Sequence, residues 1–178
     1  MPIRRVVTGI NESGKSIVVS DGSSSAERAL QHSPGFVIAP LWRLEETPPQ
    51  NDRSTDPLSQ AGSLLAPPGG AVFIVVTFPP DSITAAPDFD PVAAGGEFAE
   101  AVPGLAETFE PDHPGMHTTP TLDFATVVCG NVVLELDDGV TVALTQGDTV
   151  VQRSTRHAWR NPGSEPATVS FVMLGTRT

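Results

Sequence analysis

The stretch Asp123-Phe-Ala-Thr-Val-Val-Cys-Gly-Asn131-Val-Val-Leu-Glu-Leu-Asp-Asp138-Gly139-Val-Thr-Val-Ala-Leu144 decides the fold. Apolar residues alternate with polar ones on both sides of Asp138-Gly139, a dipeptide suited to the positive φ angles of a tight hairpin reversal. Outward from it, residues 149–153, 158–160 and 167–174 are further short apolar runs, divided by Gln146-Gly-Asp148 and Asn161-Pro-Gly-Ser164. Many short antiparallel strands at even spacing predict a sandwich or barrel, of which the jelly roll is one solution. The expected fold class is all-β.

Upstream, Ala71-Val-Phe-Ile-Val-Val-Thr-Phe78 is the strongest strand, apolar enough to be buried on both faces. Residues 4–9 and 16–20 flank Asn11-Glu-Ser-Gly14 and predict an N-terminal hairpin. Residues 23–30 predict a serine-capped helical turn. The proline in Phe36-Val-Ile-Ala-Pro-Leu-Trp42 predicts an edge or a bend. Residues 45–70, with Pro48-Pro49 and Asn51-Asp52, are expected as a partly mobile loop excursion. A second long loop is expected over 79–114, packed back by Phe89, Phe98 and Phe109. One domain is expected over 1–178, with N-terminal strands and loop extension to residue 70 and a barrel core from 71.

The chain has 178 residues, 16 glycines and 18 prolines, a composition of many turns between short strands. Its formal charge of −11 argues against a nucleic-acid surface and offers no basic patch to an anionic membrane. No run is long enough for a membrane span or a secretory signal, so the expected location is cytoplasmic. Cys129 is the single cysteine and allows no internal disulfide; its apolar setting predicts a small buried hydrophobe. No phosphate loop, dinucleotide fingerprint or serine elbow is present.

Chemistry is expected around His117, Asp123 and His157. His117 and Asp123 are an even number of residues apart and share a face if they lie on one strand. His157 opens a later strand that must pair nearby if the barrel closes. Two imidazoles and one carboxylate form a donor set for a divalent metal, used by zinc enzymes with a water and by non-haem iron enzymes as a facial triad. The alternative is that both histidines are hydrogen-bonded barrel residues and Asp123 caps a strand end. His113, in Pro111-Asp-His-Pro-Gly115, is either a third imidazole or a solvated loop residue. Trp159 alternates with His157 and forms either a pocket wall or core. Arg153 and Arg160 either clamp a substrate carboxylate or pair on the surface. Val127, Val133, Phe171 and Met173 are expected to fill the barrel.

These residues resemble the cupin superfamily. His117, Asp123 and Gly130 match the first histidine, the acidic position and the closing glycine of its first motif; Gly147-Asp148, His157 and Asn161 match the second. The resemblance covers about the C-terminal third closely. Thr119 stands where the second histidine would be, aspartate replaces glutamate, and Arg153 and Ser154-Thr155 replace the proline and glycine of the second-motif turn. The four-ligand site is thereby reduced to at most His117, Asp123 and His157. The N-terminal region is similar to small single-domain cupins of secondary metabolism and aromatic degradation. The resemblance implies a jelly-roll barrel and a metal (iron, zinc, manganese or nickel) acting on a small carboxylated or phenolic molecule. Lyase chemistry, a decarboxylation or dehydration, is the leading expectation; an iron(II) dioxygenase on the same ligands and a non-catalytic binding module are the alternatives. A homodimer joined through the N-terminal hairpin is the expected assembly.

Overall fold

Alternating apolar residues pair wherever turn residues reverse the chain, and the computed structural model, which describes residues 2–47 and 56–177, holds eleven strands among them. Strands β1 (Arg4–Ile10) and β2 (Ser16–Ser23) form a two-stranded ribbon of their own. They are followed by β3 (Arg28–Ala29), β4 (Val37–Leu44), β5 (Ala71–Phe78), β6 (Thr121–Cys129), β7 (Asn131–Glu135), β8 (Thr141–Thr145), β9 (Thr149–Arg153), β10 (Ala158–Arg160) and β11 (Ala167–Gly175). One sheet runs β3-β4-β5-β11-β6-β9 and the other β10-β7-β8, with every neighbouring pair antiparallel. The two sheets close a jelly-roll barrel.

The core is the set of inward positions that the period of two selects. Val72, Ile74 and Val76 of β5, Ala125 and Val127 of β6, Val132 and Leu134 of β7, and Val169, Phe171 and Met173 of β11 pack into one cluster. β5 is buried on both faces as expected, because Val75 on its outer face is covered by Ala39, Leu41 and Ile3; only Phe73 is exposed. Pro40 sits at a register shift in β4, a strand flanked on one side by the two-residue β3 alone, so its missing N–H costs no ladder bond. At the β7–β8 reversal, Asp138 and Gly139 both take positive φ, 56° and 72°.

Four expectations are corrected. No helical turn forms over 23–30: Ser24 accepts from the backbone of Ala26 and Glu27, making a turn between β2 and β3. The stretch 79–114 is not all loop, because helix α1 (Pro91–Ala101) lies within it. Asp90 caps α1 by accepting from the N–H groups of Val92 and Ala93, and Pro91 fills the first turn, where no N–H is needed. Phe98 and Phe109 do pack this segment onto the core. Cys129 is exposed rather than buried: the register shift between Thr168 and Val169 ends the strict alternation after Val127, leaving Val128 and Cys129 outside. In β7 the core residues are Val132 and Leu134, with Val133 half-buried on the other face. In the 45–70 excursion, Leu58, Leu64 and Ala66 are buried, and Pro48-Pro49 and Asn51-Asp52 lie outside the described residues. No helix among the described residues is long and apolar enough to cross a membrane.

Candidate functional site

His117 precedes β6 and His157 lies between β9 and β10, yet the two exchange both backbone hydrogen bonds, at 2.9 and 3.0 Å. Barrel closure therefore joins residues from opposite ends of the motif region. The imidazole centroids are 4.2 Å apart with a 48° tilt. On the other side of His117, Phe109 pairs with it through a backbone bridge and stacks on its ring at 4.2 Å and 12°. Trp159 meets His157 edge-on and packs against Phe171 and Phe78, so it faces the interior with His157.

Each histidine is oriented by a carbonyl two residues earlier in the chain. Nδ1 of His117 lies 3.1 Å from the Gly115 carbonyl, and Nδ1 of His157 lies 2.9 Å from that of Thr155. A carbonyl oxygen only accepts, so both Nδ1 atoms carry the proton and both Nε2 atoms keep a free lone pair. Burial favours the neutral rings. It lowers His117 to about 4, helped by the neighbouring His157 and opposed by the Gly115 carbonyl and Glu110. Burial lowers His157 too, against the Thr155 carbonyl.

Asp123 points inward from β6 and is 5% exposed, opposite Gln152 of β9. Its Oδ1 is buried without a hydrogen-bond partner. Burial pushes the carboxyl up to about 6, and a hydrogen bond with Thr121 opposes this. Thr119 and Thr121 share a 2.7 Å hydroxyl hydrogen bond beside it, while the Gln152 amide donates to the Thr155 hydroxyl. The second-histidine position thus carries a buried hydroxyl that cannot replace an imidazole donor.

The donor chemistry fits a divalent cation in part. Two ring nitrogens with fixed lone pairs, each held by a hydrogen bond from its other ring nitrogen, are what metal-ligating histidines display, and an orphaned buried carboxylate oxygen asks for a positive partner. Among the described residues, however, no group of three His, Cys, Asp or Glu side chains could hold a metal ion, so Asp123 is not assembled with the pair. His113 does not supply a third imidazole: it is exposed and lies 3.3 Å from Glu110.

Of the two alternatives for Arg153 and Arg160, the structure places both side chains away from the histidine pair. Gln152 takes the inward position on β9, which turns Arg153 outward and exposes it. On β10, Trp159 takes the inward position; Arg160 lies on the other face, paired with Glu135 at 2.7 Å and donating to the Pro114 carbonyl at 2.7 Å. A cleft of about 390 Å³ opens on that side, lined by Asp112, His113, Met116, Glu135, Arg156 and Arg160 among others, and by neither histidine of the pair. Sequence reasoning missed Glu110 and Arg156 and gave Phe109 only a packing role, because their contacts arise from pairings that no local pattern encodes.

Residues 106–173 match the family described as Cupin domain. The chain is 44% identical over 54 residues to the oryzines biosynthesis cluster protein J of Aspergillus oryzae, a match covering 28% of this chain and 30% of that protein. It is 26% identical over 175 residues to the cupin-domain-containing oxidoreductase srdD of Neurospora crassa, covering 97% of this chain and 74% of that protein. Among solved structures, the Cnp3 cupin domain of Schizosaccharomyces pombe aligns at a TM-score of 0.46 and 11% identity, over 97% of this chain and 87% of that one. The family match spans both histidine-bearing segments of the jelly roll, and residues 106–173 carry a cupin domain.

Proposed function

We propose that this chain is a metal-dependent cupin enzyme of secondary metabolism acting on a small, planar, largely apolar molecule. The observation that carries the proposal is the pair of neutral imidazoles, His157 buried and His117 half-buried, both with Nδ1 tied to a carbonyl and Nε2 left free. His117 and His157 would hold the ion; Asp123, whose Oδ1 has no hydrogen-bond partner, is not assembled with them and would have to turn toward the pair to serve as its carboxylate. A bound divalent ion would supply Lewis-acid or redox chemistry. Phe109, Trp159 and Phe171 supply an apolar, aromatic surround that excludes water and offers ring faces to a planar substrate. The Asp123 carboxyl, raised to about 6, is placed to hold or release a proton near neutrality. With Arg153 outward and Arg160 paired, a carboxylate handle on the substrate loses its support, so the phenolic or aromatic alternative is preferred.

Of the two chemistries, the oxidative one is favoured by the oxidoreductase named among the relatives, and lyase chemistry remains the competing reading of the same ligands. The cluster protein among the relatives supports the secondary-metabolic setting. A second copy of this chain is the partner we assign to the β1–β2 ribbon, whose Val18 and Val19 are 59% and 57% exposed. A chain limited to one cysteine suits the cytoplasm we expect for it.

Metal analysis of protein purified without added ions tests the proposal. A stoichiometric metal that is lost in the His117→Ala, His157→Ala double variant supports it; a metal-free native protein that still takes up aromatic ligands makes the chain a binding module, the reading favoured by Thr119. Oxygen consumption with an iron-loaded protein selects oxidation, and turnover without oxygen selects the lyase.

A further inference from the structure

We infer that Arg156 and Glu110 form a clasp that sets which nitrogen of His117 is free, and so act as positioning residues for the site proposed above. The inference rests on that reading of the histidine pair. Arg156 immediately precedes His157. Its Nε and Nη2 donate to both oxygens of Glu110, at 2.6 and 2.7 Å, and its Nη1 donates to Asp137 at 2.8 Å. Glu110 in turn follows Phe109, the residue stacked on His117. The two histidine segments are therefore joined twice: inside by the reciprocal backbone bonds of His117 and His157, and outside by the guanidinium.

What the clasp holds is the turn from Glu110 to Met116. That turn closes through Glu110 N–H donating to the Met116 carbonyl at 2.8 Å, and Met116 N–H to the His113 carbonyl at 2.9 Å. It ends at Gly115, whose carbonyl receives His117 Nδ1. Gly115 has a φ of +82°, and a Cβ there would come within 2.8 Å of an Arg160 nitrogen. Arg160 binds the Pro114 carbonyl, so the turn is gripped at one end by Arg156 and at the other by Arg160. The Gly115 carbonyl keeps its aim only while both grips hold. Without a fixed acceptor at Nδ1, the His117 ring is free to place its proton on Nε2 and cover the lone pair that would meet a ligand. The acceptor of His157, the Thr155 carbonyl, is held separately, because the Gln152 amide of β9 donates to Thr155. The ion pairs themselves are part-exposed and contribute little to global stability, so the effect on the ring is separable from unfolding.

The test uses metal-free protein labelled with [15N]histidine at about pH 7.5, where burial keeps the His117 ring neutral. Ring nitrogen shifts and two-bond proton couplings report the tautomer of each imidazole. The native chain is expected to show Nδ1–H for both His117 and His157. Arg156→Gln and Glu110→Ala are each expected to convert His117 to a mixture with Nε2–H, leave His157 unchanged, and shift the melting temperature little. Arg156→Lys is expected to restore His117 in part, since an ammonium reaches Glu110 without the bidentate fork. Arg4→Ala, which removes the distant Arg4–Asp21 pair, is the control expected to alter neither ring. If Arg156→Gln fails to fold, Glu110→Ala decides. His117 remaining wholly Nδ1–H in the folded variants, or being Nε2–H in the native chain, overturns the inference. Zinc titration by calorimetry is a separate readout: binding to the native chain and a loss of about tenfold or more in the variants supports the clasp. A native chain that binds no zinc defeats the metal proposal, while the tautomer experiment still decides the clasp.

Discussion

Replacing Asp123 by asparagine is expected to stabilise the metal-free protein at neutral pH. The carboxyl is buried, has an orphaned Oδ1, and is pushed from an ordinary 3.8 to about 6. Below its ordinary value both the folded and unfolded chains carry the proton, and the group is neutral to stability. Between 3.8 and about 6 the unfolded chain releases the proton while the folded chain keeps it, so stability falls as pH rises through this window. Above it the cost is complete. A proton held ~10²-fold more tightly in the folded state corresponds to about 3 kcal/mol. An asparagine cannot ionise and avoids that cost, apart from whatever its amide loses by poor hydrogen bonding. The expected gain is ~2–3 kcal/mol at about pH 7.5, shrinking toward zero near pH 4. Urea unfolding of chelator-treated native and Asp123→Asn proteins, followed across that pH range, measures it. A variant that is no more stable at pH 7.5, or a gap that persists on acidification, refutes the assignment of Asp123 as a buried carboxylate kept against its own stability. Such a cost is expected of a group retained for function.

His117 acts with the opposite sign: lowered from 6.5 to about 4, it leaves stability intact above 6.5 and removes up to about 3 kcal/mol as pH falls through that interval, so His117→Gln is expected to flatten the acid limb of the same stability profile. Because burial lowers both rings, zinc affinity in the Asp123→Asn variant, which removes the carboxyl that titrates at about 6, is expected to persist below the ordinary histidine value of 6.5; a midpoint of loss near 6.5, measured by calorimetry, goes against the burial argument. Asn161 is 1% exposed, and its side chain donates to the Phe78 and Glu165 carbonyls and accepts from Gly163 N–H. Asn161→Ala is therefore expected to cost about 3 kcal/mol in chemical denaturation without altering the histidine tautomers. Val18→Asp places a charge on the exposed ribbon and is expected to shift a dimer to monomer in size-exclusion chromatography coupled to light scattering.

The barrel strands were readable because a period of two and a turn dipeptide are local signals. The segments around Asp138-Gly139 and Gly147-Asp148 carry both, and the observed strands follow them closely. Helix α1 escaped notice although Asp90-Pro91 is a helix start, since Gly95-Gly96 and the surrounding loop residues masked its period. The exposure of Cys129 is not legible in the sequence, because burial there depends on a register shift, which belongs to the pairing of β6 with β11 and to neither strand alone.

For the site, the order of residues along the chain determined which side chains share a strand face: Thr121 and Asp123 inward on β6, and Trp159 on the face opposite Arg160 on β10. Tertiary structure alone decided that His117 meets His157 across 40 positions, that Phe109 covers its ring, and that Arg156 and Arg160 pair with acidic side chains. The physical reason is range: side-chain direction follows from backbone pleat over a few residues, whereas contacts between segments follow from closure of the barrel, which every strand must satisfy together.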